Sequence, residues 1–401
     1  MGEVVKLAFF VDSIYRRDDT GYSCDEAFIL FPISFRTVFE EIILIGRLAP
    51  QPGRMPYALP MPAVTLCPLP YYKSVYDLWK DERQIRRHVR KIVEDHAHAW
   101  DVVFICGPHP LGQYIAECCI KLGRPVVFVV RQNLVAQVRY RSQGVKRIMA
   151  LGMATWLEWR FRQLARNRTV FAVGQEMATA YRAVTPYVHN YFICLIDEAM
   201  TRALSTVTPS AATDRLLFVG RLAGEKGLPY LFEALVQLRA RGKSYSLDVI
   251  GSGPLEEALR AQVVAHGLVD QVKFHGYIAF GEALLDYYQA ATALVVPSLS
   301  EGFPQVINEA LTAGLPVIAS SVGGIPAFIK HRTSGMLVPP ADVDALASAI
   351  EELLDTPCLR NELRQNGQAL MRDNTLDANR NRMMEVIRHE VLHETKASQA
   401  I

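Results

Sequence analysis

The chain has 401 residues, half of them apolar, and a formal net charge of only +2. This length favours two globular domains, each large enough to bury a core. No apolar run approaches the ~18 residues that a membrane-spanning helix needs. Asp12 follows the short apolar run near the N-terminus, which therefore predicts a strand rather than a signal peptide. The seven cysteines include no CxxC pair, which favours reduced thiols and a cytoplasmic protein.

The first half of the chain alternates strand-like and helix-like segments, the pattern of a parallel sheet with crossover helices. Its strands are predicted at residues 6–11, 42–45, 64–68, 102–106, 126–130 and 169–173, and its helices at residues 76–98 and 111–122. Ligands of such sheets bind beyond the carboxyl ends of the strands. His109 follows one of these strands, so it is either part of a binding cleft or an incidental loop histidine.

Charge is divided unequally along the chain. Residues 1–190 hold 25 Lys and Arg against 17 Asp and Glu, and the remainder holds 18 against 24. A basic half suggests an anionic acceptor or an anionic surface. The excess is concentrated between Arg139 and Arg168, where Trp156, Trp159 and Phe161 are interleaved. That stretch is either a helix lying on anionic lipid or a solvated basic face over a stripe that faces the core.

The pattern weakens over residues 188–208, and a second series of strands begins at Arg215. We therefore predict domains at 1–197 and 213–375, a linker at 198–212 and a final, mainly helical segment at 376–401. In the second domain, further strands are predicted at 247–250, 272–274, 293–296, 317–319 and 336–338, and helices at 231–241, 255–265, 284–290, 305–313 and 343–354.

A glycine-rich basic loop, Gly220-Arg-Leu-Ala-Gly-Glu-Lys-Gly227, follows the first strand of this second series and precedes a helix. Glycine lets the backbone approach a ligand closely. Arg221 and Lys226 would place two cations at the helix entrance, which suits a pyrophosphate that gains charge as a bond to it breaks. Taken alone the motif is weak, because basic loops before helices are commonly only solvated.

Two other segments have simpler explanations. Gly251-Ser-Gly-Pro254 lacks the third glycine of a dinucleotide-binding fingerprint and predicts a turn. Asp342-Val-Asp344 is spaced like a metal-binding pair, but it stands at a helix start, where aspartate caps the helix. No metal is expected there.

Residues 301–309 place two carboxylates between a strand-like run and an apolar helix. Pro304 suits the first helical position, so Glu301 is expected just before the helix and Glu309 about a turn and a half inside it. Between them lie the N–H groups of a helix N-terminus, which favour an anion. A nucleotide-sugar has this layout, because its diphosphate is flanked by ribose and hexose hydroxyls that the two carboxylates could accept from.

Five segments in this order resemble one known family. They are residues 218–222 with 225–227, residues 249–254, residues 274–277, residues 301–309, and residues 323–326 with 335–339. Together, over roughly residues 215 to 355, they resemble the donor half of retaining GT-B glycosyltransferases of family 4, the glycosyl transferases group 1. The resemblance implies an α/β fold of two Rossmann-like domains whose parallel sheets face a central cleft. It also implies that the segment after Leu376 packs back on the first domain.

The resemblance implies roles for individual residues. Arg221 and Lys226 would bind the diphosphate of a UDP- or GDP-sugar, Glu301 the transferred sugar and Glu309 the ribose. Backbone contacts would come from Gly302 and Phe303, and further donor contacts from Val306 and Gly276. We also predict that the reaction needs no metal and no cofactor beyond the donor, because Arg221 and Lys226 could do the work of a metal.

The first half departs from the family at two places. Many members carry a glycine pair after the first strand, but here only Gly21 is near. Many also have a histidine after the strand at 126–130, where this chain has Arg131. Arg131 could stabilise the leaving phosphate or bind an anionic acceptor, or it could pair with a surface acid. His109 is the other candidate for a catalytic role on this side.

We therefore predict a cytoplasmic retaining glycosyltransferase that moves a sugar to an acceptor hydroxyl in cell-envelope or exopolysaccharide assembly. The acceptor would be a glycan, a lipid-linked intermediate or a small molecule. The predicted partners include the inner, cytoplasmic face of an anionic membrane. No nucleic acid is expected as a partner. The alternatives are a nucleotide-sugar epimerase of the same fold and a non-catalytic partner subunit. A glycoside hydrolase fits less well, because it has no use for Arg221 and Lys226 beside its carboxylates.

Overall fold

The computed structural model describes residues 6–74, 77–78, 82–131, 133–141, 144–205 and 214–392. Some parts of the predicted elements, among them the last residues of the linker and of the final helix, lie outside the described residues. The described chain forms two sheets with helices packed on their faces. The predicted α/β class with two parallel-sheet domains is confirmed.

The first sheet lies in the N-terminal half. Its parallel part has the order β5-β3-β1-β6-β7-β8-β9, and β2 and β4 extend it with antiparallel pairing. The strands are β1 Lys6–Asp18, β2 Gly21–Cys24, β3 Glu41–Leu48, β4 Tyr57–Ala58, β5 Val64–Leu69, β6 Val102–Gly107, β7 Val126–Val130, β8 Val170–Val173 and β9 Val188–Tyr191.

Helices cover both faces of this sheet, so alternate residues of one strand enter opposite cores. In β1, Leu7 and Phe9 pack on one side, whereas Ala8 and Phe10 pack on the other. The helices are α1 Leu30–Ser34, α2 Glu82–His96, α3 Pro110–Lys121, α4 Leu134–Arg141, α5 Gly144–Leu164, α6 Gly174–Arg182 and α7 Glu198–Ser205.

The second sheet is wholly parallel in the order β12-β11-β10-β13-β14-β15. Its strands are β10 Arg215–Val219, β11 Ser246–Ile250, β12 Val272–Gly276, β13 Ala293–Val296, β14 Val317–Ser320 and β15 Met336–Val338. Its helices are α8 Leu228–Ala240, α9 Glu256–Ala265, α10 Glu282–Ala290, α11 Gln305–Thr312, α12 Ile325–Phe328, α13 Val343–Asp355 and α14 Pro357–Arg372. Strands β11 and β12 lie on one side of β10, and β13, β14 and β15 lie on the other side. The direction in which successive strands are added to the sheet therefore reverses between β10 and β13.

The structure corrects several local predictions. Strand β1 continues to Asp18, because its polar second half pairs with β2 in a hairpin that the hydrophobic pattern does not show. The region expected to be irregular contains β9, and the range expected to be a linker begins with α7. Pro304 is the residue before α11 rather than its first residue. The expected aspartate cap is confirmed, since Asp342 accepts from the backbone N–H of Ala345 at 2.9 Å.

The end of the chain returns to the first domain. Helix α15, Leu376–Ile387, begins where the N–H of Leu376 donates to the carbonyl of Ile196 at 2.7 Å. Met383, Met384 and Ile387 are buried in the same core as β1. Helix α15 thus stabilises the first domain, although it follows the second domain in the sequence. Within the described residues, none of the helices is long and apolar enough to cross a membrane.

The two domains are also joined directly by side-chain contacts. Gln305 and Asn308, in the first turn of α11, both donate to the carbonyl oxygen of Ile193, at 2.6 and 2.9 Å. The ring of Phe303 packs against that of Phe192, with centroids 5.3 Å apart. These contacts fix α11 of the second domain against the chain that leaves the first sheet.

Replacing Ile387 with alanine should reduce the free energy of unfolding by about 2–5 kcal/mol, because it leaves a cavity in the first-domain core. Ile387 has no exposed surface. The matched control is Glu385→Ala on the exposed face of the same helix, which should change stability by less than about 0.5 kcal/mol. Urea unfolding of both variants measures the difference, and equal losses would contradict the packing of α15 described here.

Candidate functional site

The candidate site lies where the strand order of the second sheet reverses. Strands β10 and β13 are parallel neighbours, but the chain leaves their carboxyl ends toward opposite sides, which opens a crevice. Two loops enter this crevice. A short 3-10 turn, Gly224–Lys226, follows β10, and the loop that contains Glu301 follows β13. Topology therefore brings the basic motif and the first glutamate together across 75 residues of chain.

A direct ion pair joins the two loops. The Nζ atom of Lys226 lies 2.5 Å from Oε1 of Glu301. Ser298 donates its hydroxyl to the same oxygen at 2.8 Å. The Glu301 side chain is only 9% exposed and that of Lys226 is 22% exposed, so the pair is partly shielded from water and stronger than a surface pair. Sequence reasoning assigned the two residues to one ligand but did not show that they touch, and it missed Ser298.

Backbone contacts hold the loops at this spacing. A β-carbon on Gly227 would lie 1.9 Å from the carbonyl oxygen of Pro297, and φ of Gly227 is +69°. A β-carbon on Gly323, where φ is +57°, would lie 2.0 Å from the carbonyl oxygen of Glu301. Only glycine fits such approaches with a positive φ. The loops after β10, β13 and β14 therefore meet around Glu301.

The other predicted donor residues lie at different places around this point. Gly302 accepts a hydrogen bond from the N–H of Gly324 at 2.7 Å, and Val306 lies half-buried in the first turn of α11. Arg221 is exposed and has no ion-pair partner within the described part of the chain. Gly276 ends β12, the edge strand. Gly302 and Val306 thus follow Glu301 closely in the chain, Arg221 lies on the same loop as Lys226, and Gly276 lies at the end of β12, two strands away from β10.

Glu309 is buried rather than exposed to a cleft. Its Oε2 atom accepts a hydrogen bond from the hydroxyl of Tyr288 at 2.6 Å. Burial raises the pKa of the Glu309 carboxyl to about 7, and the hydrogen bond from Tyr288 opposes this rise. The sequence predicted a carboxylate that accepts from a ribose, and it missed Tyr288. The sequence offered one general indication of Tyr288, because a tyrosine on the core face of a helix needs a hydrogen-bond partner for its hydroxyl.

The first domain contributes a second polar cluster, centred on Asp12 and His109. The Nε2 atom of His109 lies 3.2 Å from Oδ2 of Asp12. Because Nδ1 of His109 accepts from the N–H of Leu111, Nε2 carries the hydrogen that points at Asp12. Tyr72 donates its hydroxyl to Asp12, and Nε of Arg47 lies 2.9 Å from Oδ1. His109 therefore caps the start of α3 and also contacts Asp12.

This cluster keeps Asp12 ionised. Burial alone would raise its pKa, but the hydrogen bond from His109 and the charges of His109 and Arg47 overcome that effect and lower the pKa to about 2. Strand β6 is the neighbour of β1 in the sheet, and His109 follows it. The sequence located His109, but its partners come from β1, β3 and the segment after β5, and no local pattern connects them.

Arg131 packs over the aromatic ring of Phe28. Its guanidinium carbon lies 3.6 Å from the ring centroid of Phe28, a cation–π contact. Glu26 lies close enough for the charge of Arg131 to oppose the rise in the Glu26 pKa that burial causes. Among the described residues no ion pair of 4.0 Å or less involves Arg131, although Glu26, an exposed residue, interacts with its charge. Its roles toward a leaving phosphate, an anionic acceptor or a surface acid stay predictions.

The carboxyl ends of both sheets face one cleft. Helix α4, which follows β7 of the first sheet, contacts the turn Gly224–Lys226 of the second domain. Helix α12, after β14, contacts α6, after β8. The Lys226–Glu301 pair and the Asp12–His109 cluster thus belong to the two walls of a single interdomain cleft.

Comparison with known proteins agrees with this arrangement. Residues 209–370 match the family model described as Glycosyl transferases group 1. Over 155 residues the chain is 35% identical to an alpha-D-kanosaminyltransferase of Streptomyces kanamyceticus. The aligned segment covers 39% of this chain and 40% of that protein. Over 145 residues it is 37% identical to the amylovoran biosynthesis glycosyltransferase AmsK of Erwinia amylovora, which covers 35% of each. The chain therefore matches no more than 40% of the length of these two relatives.

A solved structure is similar over both domains. HepE of Anabaena, crystallised in complex with UDP and glucose, has a TM-score of 0.67 and 18% identity, covering 96% of this chain and 100% of that chain. The similarity at this identity concerns the fold. The fold is GT-B, as the resemblance of the motifs implied.

Stability should depend on the titration of Glu309. A carboxyl whose pKa is raised from 4.5 to about 7 binds more protons in the folded than in the unfolded protein between those pH values. Its contribution therefore falls as pH rises through that window, by up to about 3 kcal/mol. Glu309→Gln keeps the neutral form, so it should be as stable as the natural protein at pH 5 and more stable at pH 8. Urea unfolding at pH 5, 6, 7 and 8 tests this, and a pH-independent difference would contradict it.

Proposed function

We propose that this protein is a retaining glycosyltransferase of family 4, which transfers a sugar from a nucleoside diphosphate sugar to an acceptor hydroxyl. The observation that carries the proposal is the Lys226–Glu301 contact at the strand-order reversal of the second sheet. A cation and a carboxylate at one point suit a ligand that carries phosphate on one side and hydroxyls on the other. The relatives named as glycosyltransferases support the reaction class.

The donor would lie across the N-terminal end of α11. Lys226 and exposed Arg221 would contact the diphosphate, and the N–H groups at the start of α11 would add partial positive charge. Glu301 would accept hydroxyls of the transferred sugar, with Gly302 and Phe303 beside it. The crystal of HepE in complex with UDP and glucose supports a UDP-sugar as the first donor to test.

Glu309 would take the ribose hydroxyls on the other side of the phosphates. To do so its carboxyl must accept two hydroxyls in place of, or in addition to, the hydroxyl of Tyr288. Gly276 and Val306 would line the nucleotide end of this site. Binding would favour the ionised form of Glu309, because a carboxylate accepts more hydrogen bonds than a neutral acid.

The chemistry would need charge stabilisation more than a general base. The bond between the anomeric carbon and the diphosphate oxygen breaks while the acceptor oxygen bonds to the same face of that carbon. The departing diphosphate takes the acceptor's proton, and the cations of Arg221 and Lys226 offset its growing charge without a metal or cofactor. Glu301 would stabilise the positive charge that develops on the sugar ring.

The first domain would hold the acceptor. His109 and Asp12 lie on that wall of the cleft with fixed geometry. Because both ring nitrogens of His109 already have partners, the Asp12–His109 pair would orient the acceptor hydroxyl, with Asp12 accepting its hydrogen bond. Arg131 would carry an anionic group of the acceptor or of the leaving phosphate. These roles depend on the cleft that the two sheets share.

The basic helix α5 would bring the enzyme to anionic lipid at the cytoplasmic face of a membrane. Its described side chains include exposed Ile148, Met149 and Trp159 beside exposed Arg147. Apolar side chains flanked by arginine are typical of helices that lie in a membrane interface. Arg160 and Arg162 are ion-paired to glutamates of this chain. Arg147 on α5 and exposed Arg166, just after the end of α5, would therefore contribute most to lipid attraction.

The reaction itself is tested by incubating the protein with UDP-, GDP- and ADP-sugars, with and without a panel of glycan, lipid-linked and small-molecule acceptors. We expect turnover of one donor that depends on an acceptor and continues in a chelator. NMR of the product should show the anomeric configuration of the donor. An inverted product contradicts the retaining mechanism, turnover without acceptor identifies an epimerase, and binding without turnover identifies a non-catalytic subunit.

Arg221→Ala should weaken binding of the matching nucleoside diphosphate about 10- to 100-fold, since it removes a charge-assisted contact of roughly 1.5–3 kcal/mol. The side chain is exposed, so the fold should persist. Arg260→Ala, an exposed arginine paired to Glu256 on α9, is the control and should bind normally. Calorimetric titration gives the dissociation constants, and equal affinities for both variants would remove Arg221 from the site.

Vesicle binding should require anionic lipid and weaken steeply with salt. Replacing Arg147 and Arg166 with glutamine should cost about 1 kcal/mol for each charge removed. Arg182→Gln, on α6, is the matched control. Co-sedimentation with vesicles with and without phosphatidylserine measures the effect. Absent or salt-insensitive binding would identify α5 as a solvated basic face.

A further inference from the structure

An open groove of about 520 Å³ crosses the outer surface of the first domain, separate from the donor loops. Its floor is the first two turns of α3, and its walls are α2 and α5. The volume falls within the range of about 300–1,000 Å³ that is typical of small-molecule sites. Apolar and aromatic side chains dominate the lining, namely Leu78, Leu111, Tyr114, Met153 and Trp156.

The charged residues of the groove are already paired within the chain. Arg86 lies 2.6 Å from Glu82, and its guanidinium lies over the ring of Tyr114 at 5.0 Å. Arg160 is hydrogen-bonded to Glu117, and its guanidinium lies 5.5 Å from the ring centroid of Trp156. An anion would have to compete with these glutamates for both arginines, whereas an uncharged chain would not. The groove therefore suits a hydrocarbon chain better than a phosphate.

The position of the groove connects it to two other features. Pro110 and Leu111 line one end of the groove, and they follow His109 directly in the chain. At the other side Trp156 is both a groove residue and 44% exposed. It lies on the outer face of α5 one turn from Trp159 and two turns from Ile148, both of which are exposed. The groove thus runs from the apolar exposed face of α5 toward the acceptor wall of the cleft.

We propose that this groove binds the hydrocarbon chain of a lipid-linked acceptor, so that the acceptor is an amphiphile whose hydroxyl end reaches the Asp12–His109 cluster. The proposal rests on the proposed function, since it assigns the acceptor class of that reaction. A chain leaving a bilayer would pass the exposed face of α5, lie between Tyr114, Met153 and Trp156, and end beside the Asp12–His109 cluster. Burial of each methylene contributes about 0.8 kcal/mol, so chain length should control affinity.

Gly152 offers a way to block the groove without disturbing the fold. It lies on α5 among the lining residues, and a β-carbon there would meet no atom within 4 Å. Gly152→Phe would fill the groove, whereas Gly152→Ala leaves it open and improves helix propensity. The two variants differ only in how far the new side chain extends.

The test uses methyl, hexyl and octyl glucosides below their micelle concentrations as probes, with binding followed by tryptophan fluorescence. The natural protein and Gly152→Ala should bind the longer chains more tightly, by up to about fourfold for each buried methylene. Gly152→Phe should lose this dependence on length. Equal affinity for all three probes, or the same dependence in Gly152→Phe, would overturn the proposal.

A second measurement does not depend on the folding of Gly152→Phe. An octyl glucoside brominated at the end of its chain should quench the fluorescence of Trp156, which lines the groove. Quenching should be lost in Trp156→Phe and kept in Trp159→Phe, because Trp159 lies outside the groove. Equal quenching in both variants would place the chain elsewhere on α5.

Two controls separate the possible failures. Nucleoside diphosphate affinity should be the same in the natural protein and in the two Gly152 variants. If the natural protein binds the nucleotide normally but shows no dependence on chain length, the groove is rejected and the proposed function still stands. Sedimentation equilibrium tests a second copy as the occupant. Self-association that Gly152→Phe abolishes would assign the groove to that contact and overturn the lipid proposal.

Discussion

The ion pair between Lys226 and Glu301 is the contact on which the candidate site depends. It joins two loops that leave neighbouring strands in opposite directions, and the glycines at 227 and 323 let the backbones approach closely enough for it to form. An ammonium group and a carboxylate at this point define two sides of a ligand, one anionic and one rich in hydroxyls. A lysine alone would suit many anions, and a glutamate alone many sugars. Their contact, at the N-terminal end of a helix, suits a molecule that contains both.

Two other carboxylates of the candidate site are also held by partners within the chain, whereas Arg221 is exposed and has no ion-pair partner among the described residues. Asp12 is held by His109, Tyr72 and Arg47, and Glu309 by Tyr288. Such support costs desolvation, and fixed geometry offsets that cost when the site must act on one orientation of a substrate. The contacts of α11 with Ile193 and the return of α15 to the first core restrict how the two walls can move.

The sequence predicts the fold well because most strands of both sheets are parallel and buried. Continuous apolar runs such as Val126–Val130 and alternating helices identify strands and crossovers by local pattern alone. Sequence patterns do not predict elements or side-chain contacts that depend on residues distant in the sequence. The hairpin of β1 and β2 uses Arg16, Arg17 and Asp18, which look like loop residues. Tyr288 is an ordinary core position until Glu309 is placed beside it. Arg47 and Tyr72 are distant in sequence from Asp12, and only the sheet brings them together. The motif loops were located correctly, but the contact between Lys226 and Glu301 could not be read from spacing.

The most direct test of this account is a double-mutant cycle on nucleoside diphosphate binding, with Lys226→Met, Glu301→Gln and the double variant titrated by calorimetry. With Lys226 removed, the carboxylate of Glu301 would face the phosphates without an intervening cation. We therefore predict that Glu301→Gln tightens binding at least about threefold in the Lys226→Met background and changes it less in the natural protein, a coupling of roughly 1 kcal/mol. Strictly additive effects would show that the two side chains do not share one ligand, and would contradict the central claim.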